Sequence, residues 1–202
     1  MAELPKNLRE FLARDLIYIV GGSSVIVSFL YRFDRIPDSS TPIAFYMLGA
    51  GLGYVVGYAL QDLFSILRLV TTAQVTKPNR LLRWAYARFA GEPWEELPPL
   101  KSNEIGPGLR RFLNDDFTRA RYERSITHMM VGTTIGPCIL LSSFLIFWRW
   151  LVGRSQFDLV LSIVSLVLSV VLFLLSWIKA MQVTRIDARA VADRQAASEK
   201  DT

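Results

Sequence analysis

The residues best placed to do chemistry in this 202-residue chain are ionisable groups at the edges of long apolar blocks. Asp15 precedes the first block and Asp62 ends the second. His128 opens the third, with Arg124 one turn before it, and Lys179 ends the fourth. An ionisable side chain at the edge of a hydrocarbon layer is costly to desolvate, so it pairs with another group or serves function. The order of the blocks puts all five at one depth. Asp62 with His128 or Arg124 is the expected pair. His128, the only histidine, is the expected carrier of any response near neutral pH. The plainer reading of the layer is interfacial anchoring and helix capping.

A second kind of chemistry belongs to the small residues. Gly49, Gly53 and Gly57 recur at i, i+4 and i+8, which places them on one helix face and makes a groove without side chains. Gly132 and Gly136 form a second such pair, followed by Pro137, which removes a helix hydrogen bond and loosens the turn there. The first block carries Gly21, Ser24 and Ser28. The last carries a stripe of Ser162, Ser165, Ser169 and Ser176, completed by Leu172. In lipid the hydrophobic effect no longer drives helices together, and small faces let backbones approach closely. Hydroxyls and bare glycine carbonyls also replace part of an ion's hydration shell. Packing within one four-helix bundle and the lining of a narrow path in an oligomer are therefore the two readings of these faces.

Other chemistries find no support. There is no Walker loop, no G-x-G-x-x-G, no C-x-x-C and no H-E-x-x-H. The single cysteine, Cys138, excludes an intrachain disulfide and a cysteine zinc site. The interiors of the apolar blocks contain no Asp, Glu, Lys, Arg or His, which argues against proton-coupled transport, and one histidine at an edge leaves no pair to ligate haem. No enzyme activity and no cofactor or metal is expected. The net charge of +5 lies mostly outside the apolar blocks, so membrane topology explains it better than nucleic acid does.

The elements that must position these residues are four spans: Leu16–Tyr31, Ile43–Gln61, Met129–Trp148 and Leu159–Ile178. Each suits a bilayer core of about 30 Å, the first being slightly short. The first reads as a retained anchor. Nineteen Lys and Arg fall in the N-terminal segment, the middle segment and the tail, against four in the two short links. The positive-inside rule then puts both termini and residues 62–128 in the cytoplasm. Phe144, Phe147, Trp148 and Trp150 form an aromatic belt at the opposite surface.

In the middle segment, the second span is expected to continue as helix to about Thr76. A break at Lys77–Asn79 follows, then a helix capped by Asn79 and stopped by Gly91. Leu82, Tyr86 and Phe89 share one face of that helix, with Arg80, Arg83 and Arg88 away from it. It either rests on anionic headgroups or packs on neighbouring helices. Residues 92–107 carry four prolines and read as a loop. After Gly108 a helix with a surface ladder of Asp115, Arg119 and Glu123 runs into the third span. The tail after Lys179 is expected to fray and then disorder.

The expectation is an all-α membrane protein with four transmembrane helices in two hairpins, helices two and three extending into a small cytoplasmic helical domain. Its parts are a cytoplasmic N-terminal segment (1–15), spans one and two (16–61), the cytoplasmic segment (62–128), spans three and four (129–178) and a cytoplasmic tail (179–202). The leading functional expectation is a homo-oligomeric channel of a cell inner membrane, gated by its cytoplasmic collar. The alternative is a membrane scaffold or anchor that recruits a cytoplasmic protein partner through residues 62–128. The bilayer is a partner in either reading.

Overall fold

The computed structural model describes residues 6–36, 41–67, 69–70, 75, 77–91, 93–94 and 116–200, the side chains of 6–13, 116–117 and 194–200 excepted. Five helices and no strand occur among the described residues: α1 Lys6–Arg32, α2 Ile43–Ile66, α3 Arg80–Ala90, α4 Asp116–Gly153 and α5 Gln156–Lys200. Four of them contain stretches long and apolar enough to cross a membrane: Arg14–Arg32, Ile43–Ile66, Thr118–Gly153 and Gln156–Asp193. The chain divides into two compact units. The first comprises Met1–Val70 and Met130–Phe173, the second Thr71–Met129 and Leu174–Thr202. The Asp115 end of the expected surface ladder lies outside the described residues, as does the loop 95–107.

Helix ends follow local stereochemistry. α1 closes with Asp34 in the left-handed region at φ 53°, where a short polar side chain is tolerated. The Arg35 amide donates to the Leu30 carbonyl (2.9 Å) and the Asp34 amide to that of Tyr31 (3.2 Å), a Schellman closure with aspartate where glycine is usual. α4 ends in the simpler left-handed motif: Arg154 sits at φ 55° and its amide donates to the Trp150 carbonyl at 2.7 Å. α2 begins after Pro42, whose fixed extended geometry ends the preceding link.

α2 stops at Ile66, not near Thr76 as expected from sequence. Leu67 caps it, and the amides of Leu69 and Val70 turn back to the Phe64 carbonyl. The β-branched run Val70–Thr71–Thr72 has little preference for helix, and burial of Val70 rewards leaving it.

In the first unit α1 packs on α2 through glycine. Gly22, Gly53 and Gly57 are buried, and a Cβ at Gly53 would lie 2.5 Å from Ser23 Oγ and 3.0 Å from the Ile19 carbonyl oxygen. Tyr18 is wedged edge-on between Tyr54 and Tyr58, with ring centroids 5.5 and 5.6 Å away. The other faces of the spans are apolar and open: Leu48, Leu52 and Val55 on α2, and Val160, Ile163 and Val167 on α5, are each half exposed or more. An apolar exterior of this extent suits hydrocarbon and not water.

The second unit has an apolar core of its own. Leu82, Ala85 and Tyr86 of α3 meet Met129 of α4 and Ile178, Ala180 and Met181 of α5, with Val75 beside them. Asn79 Oδ1 accepts from the Leu82 amide at 2.9 Å, and Gly91 takes the left-handed stop at φ 74°, so α3 has the boundaries its sequence predicts. Phe89 departs from expectation. It lies outside the core at 74% exposure, and Ala85 takes its place. The tail departs further. α5 remains helical to Lys200, and Ala180, Met181, Thr184, Ala190 and Val191 are buried. Thr184 fixes this arrangement, accepting the Val75 amide at 3.0 Å and donating to the Ala180 carbonyl at 2.8 Å. The helices that lengthen beyond their spans are thus α4, as expected of span three, and α5 of span four, while α2 ends at Ile66.

Candidate functional site

The most concentrated polar chemistry in the first unit lies where α1, α4 and α5 end or begin together. Arg149, near the end of α4, is the hub. Its guanidinium stands 4.2 Å above the Tyr31 ring, donates to the Tyr31 carbonyl, and pairs with Asp34 at 2.6 Å and Asp158 at 3.4 Å. Tyr31 Oη donates to the second oxygen of Asp158 at 2.8 Å. Asp158 is 3% exposed and stands in the first turn of α5, where the helix dipole favours an anion. Every formal charge here has an opposite partner and a hydrogen bond, which a nearly buried carboxylate requires. The cluster is therefore a closed electrostatic clasp on three helix ends. It holds them in place.

The small-residue faces come next. Ser143 and Ser162 are buried and bond reciprocally: Ser143 Oγ donates to the Ser162 carbonyl at 2.9 Å, and Ser162 Oγ to the Ser143 carbonyl at 3.1 Å. Ser169 Oγ donates to the Gly136 carbonyl at 2.9 Å, and a Cβ at Gly136 would lie 2.9 Å from the Phe173 ring. These bonds tie α4 to α5. Thr134 Oγ1 donates to Gln61 Oε1 at 2.9 Å, tying α4 to α2, and Ser24 lies 3.5 Å from Ser142, tying α1 to α4. Gly21 faces Cys138, whose sulfur would stand 3.2 Å from a Cβ there. Gly132 and Ser176 are buried and Ser165 is half-buried. Gly49 is different, for nothing lies within 4 Å of a Cβ at that position or at Gly51. Gly49 and Ala50 instead floor an apolar groove of about 310 Å³ walled by Ser23, Ile26, Val27 and Leu30.

The expected boundary layer falls into separate surroundings. In the first unit Asp62 is exposed, while Asp15 is half-buried, with one carboxylate oxygen buried and unpartnered among the described residues. In the second unit Arg124 is exposed and His128 half-buried, and Lys179 donates to Gln182 Oε1 at 2.9 Å, within reach of the repelling charges of Arg121 and Arg124. The Gln182 oxygen also accepts from Ser125 at 3.4 Å. The expected pairing of Asp62 with His128 or Arg124 joins residues of different units.

No family model, curated protein or solved structure matches the chain, so its chemistry rests on these contacts.

Sequence reasoning missed the clasp. Arg149 and Asp158 enter it only as charges in a short link, and Tyr31 and Asp34 as the end of another. One signal was present: the two links between consecutive apolar blocks each carry both an acid and a base close to a block end, the arrangement that neutral pairing across helix ends needs.

Proposed function

We propose that this chain is a multi-pass membrane scaffold. Two helical hairpins anchor it in a cell inner membrane of bacterial type, and α4 and α5 continue past their spans to build a cytoplasmic platform that recruits a soluble protein. The observation that carries this reading is the second unit's own core, formed where α3 packs on the extensions of α4 and α5. Spans whose only task was conduction would gain nothing from it. The excess of Lys and Arg in the segments assigned to the cytoplasm supports the orientation. The hydroxyls of the spans support anchoring too, since Ser143, Ser162 and Ser169 satisfy their bonding within the chain.

A homo-oligomeric channel is the second reading. Gly51 favours it, because it is exposed with nothing within 4 Å of a Cβ there, which leaves room for a helix of another copy to approach closely.

Particle mass of the full chain in detergent or nanodiscs separates the two. A scaffold is a monomer or small oligomer that retains a defined soluble protein, and loses it when the core of the second unit is broken by Tyr86→Asp. A ring of copies around a central opening overturns the scaffold in favour of the channel. Labelling of an Asp193→Cys variant from outside intact cells would overturn the orientation.

A further inference from the structure

α3 has two faces, and the core of the second unit uses one. Its Leu82, Ala85 and Tyr86 pack against Met129 and Ile178. Met129 opens the third apolar block and Ile178 closes the fourth. With the span ends read from sequence, the packed face of α3 stands at the level where α4 and α5 leave the hydrocarbon.

The opposite face carries Leu81, Trp84 and Arg88 at i, i+3 and i+7, one stripe of a helix. Leu81 is 62% and Trp84 68% exposed, and Arg88 is exposed beside them. Arg80 and Lys77, also exposed, stand at the start of the helix, and α3 contains no acidic residue. Bulky apolar groups and fixed positive charge on one face suit neither water nor a protein core. They suit a headgroup layer, where tryptophan is at home and guanidinium binds phosphate through two parallel hydrogen bonds.

We propose that the outward face of α3 docks on anionic phospholipid headgroups. Trp84 and Leu81 enter at the base of the headgroups while Arg80 and Arg88 bind lipid phosphates. Docking requires that α4 and α5 span the bilayer and that α3 turn this face towards it. It holds whether or not the platform recruits a partner, so loss of a partner in the mass experiment leaves it standing.

The test places a nitroxide on Ala87→Cys, which is exposed and one turn beyond Trp84 on the same side of α3. The native Cys138 is buried and stays out of reach of an aqueous label. The full chain is reconstituted in vesicles of phosphatidylcholine alone or mixed with phosphatidylglycerol, and collisions with oxygen are compared with those of an aqueous nickel chelate. In the anionic vesicles the probe at 87 is enriched in oxygen and shielded from nickel relative to a probe on Asp193→Cys. Each of R80Q and R88Q lowers the docked-to-undocked ratio by about fivefold. Both residues are exposed, so the core of α3 survives their loss, and a probe on Leu81→Cys repeats the reading at a second site. A probe at 87 as aqueous as that at 193 in both lipids overturns the proposal. So does insertion equal in both lipids, and so does shielding from oxygen and nickel alike, which would mean a protein cover.

Discussion

Gly22 of α1 and Gly53 of α2 touch backbone to backbone: a Cβ at Gly22 would fall inside the Gly53 carbonyl and 2.6 Å from the Gly57 nitrogen. Neither partner is a flexible side chain that can swing aside. Gly22→Ala and Gly53→Leu should therefore each lower stability by about 3 kcal/mol, at the upper end of overpacking costs. Gly49→Ala, with open space around it, should stay within about 0.5 kcal/mol of the parent. Thermal unfolding of the detergent-solubilised chain measures all three. Equal behaviour of Gly22→Ala and Gly49→Ala would refute the contact.

The clasp around Arg149 separates two aspartates that look alike in sequence. Asp158 is nearly buried, and its loss strips Arg149 of one counter-charge and Tyr31 of its acceptor. Asp158→Ala should cost about 3 kcal/mol, as for one partner of a buried pair. Tyr31→Phe should cost about 1–2 kcal/mol by leaving one carboxylate oxygen short of a bond. The Asp34 side chain is 79% exposed, and Asp34→Ala should cost less than about 1 kcal/mol despite the shorter ion pair. Added salt should narrow the Asp34 effect and leave that of Asp158. The reverse ranking in a denaturation series would show that burial does not control this cluster.

The end of α5 is part of a folded unit. Truncation after Lys179 removes Met181 and Thr184, exposes the packed face of α3 and leaves the Val75 amide without its acceptor. We expect that variant to become protease-sensitive across residues 71–129. Truncation after Asp193 keeps Ala190 and Val191 and should behave as the full chain does. The single change Thr184→Val, which keeps the shape and loses both hydrogen bonds, should cost about 1–3 kcal/mol. Limited proteolysis with mass spectrometry reads the truncations, and resistance after removal at 179 would contradict this packing.

Ser143 and Ser162 each donate to the other's backbone, so the two hydroxyls form a unit. Hydrogen bonds between helices in lipid contribute only about 0.6 kcal/mol on average. Ser143→Ala and Ser162→Ala should each produce an effect of that order, and a double-mutant cycle should show them coupled. Strict additivity would mean that the bonds form independently.

What the sequence made legible was what neighbouring residues decide among themselves. Charge-free length marks the spans, and α2 begins at Ile43 as read. Asn79 and Gly91 bound α3 because a side-chain cap and a left-handed stop are local devices. The spacing of Gly53 and Gly57 announced a close contact, but not that its partner would be Gly22 and not Gly21, since a rotation of one residue about α1 decides it. The course of α5 after Lys179 was illegible for a tertiary reason. An alanine-rich polar helix looks marginal alone, and it is held by α3 and α4, from which long stretches of sequence separate it. The Arg149 clasp draws on residues more than a hundred positions apart, beyond the reach of any periodic pattern.

The length of α5 acts as a ruler. At 1.5 Å per residue its 45 residues measure about 67 Å. Once it crosses some 30 Å of hydrocarbon, more than half of that contour remains outside. On the proposed scaffold reading, a partner gripped at its far end would stand roughly one small domain's diameter from the lipid, while one gripped near Lys179 would brush the headgroups. Insertion of seven residues after Asp193, beyond the packed Ala190 and Val191, would lengthen the helix by about 10 Å and keep nearly the same rotational face. The reach of the chain can thus be changed without altering its anchor.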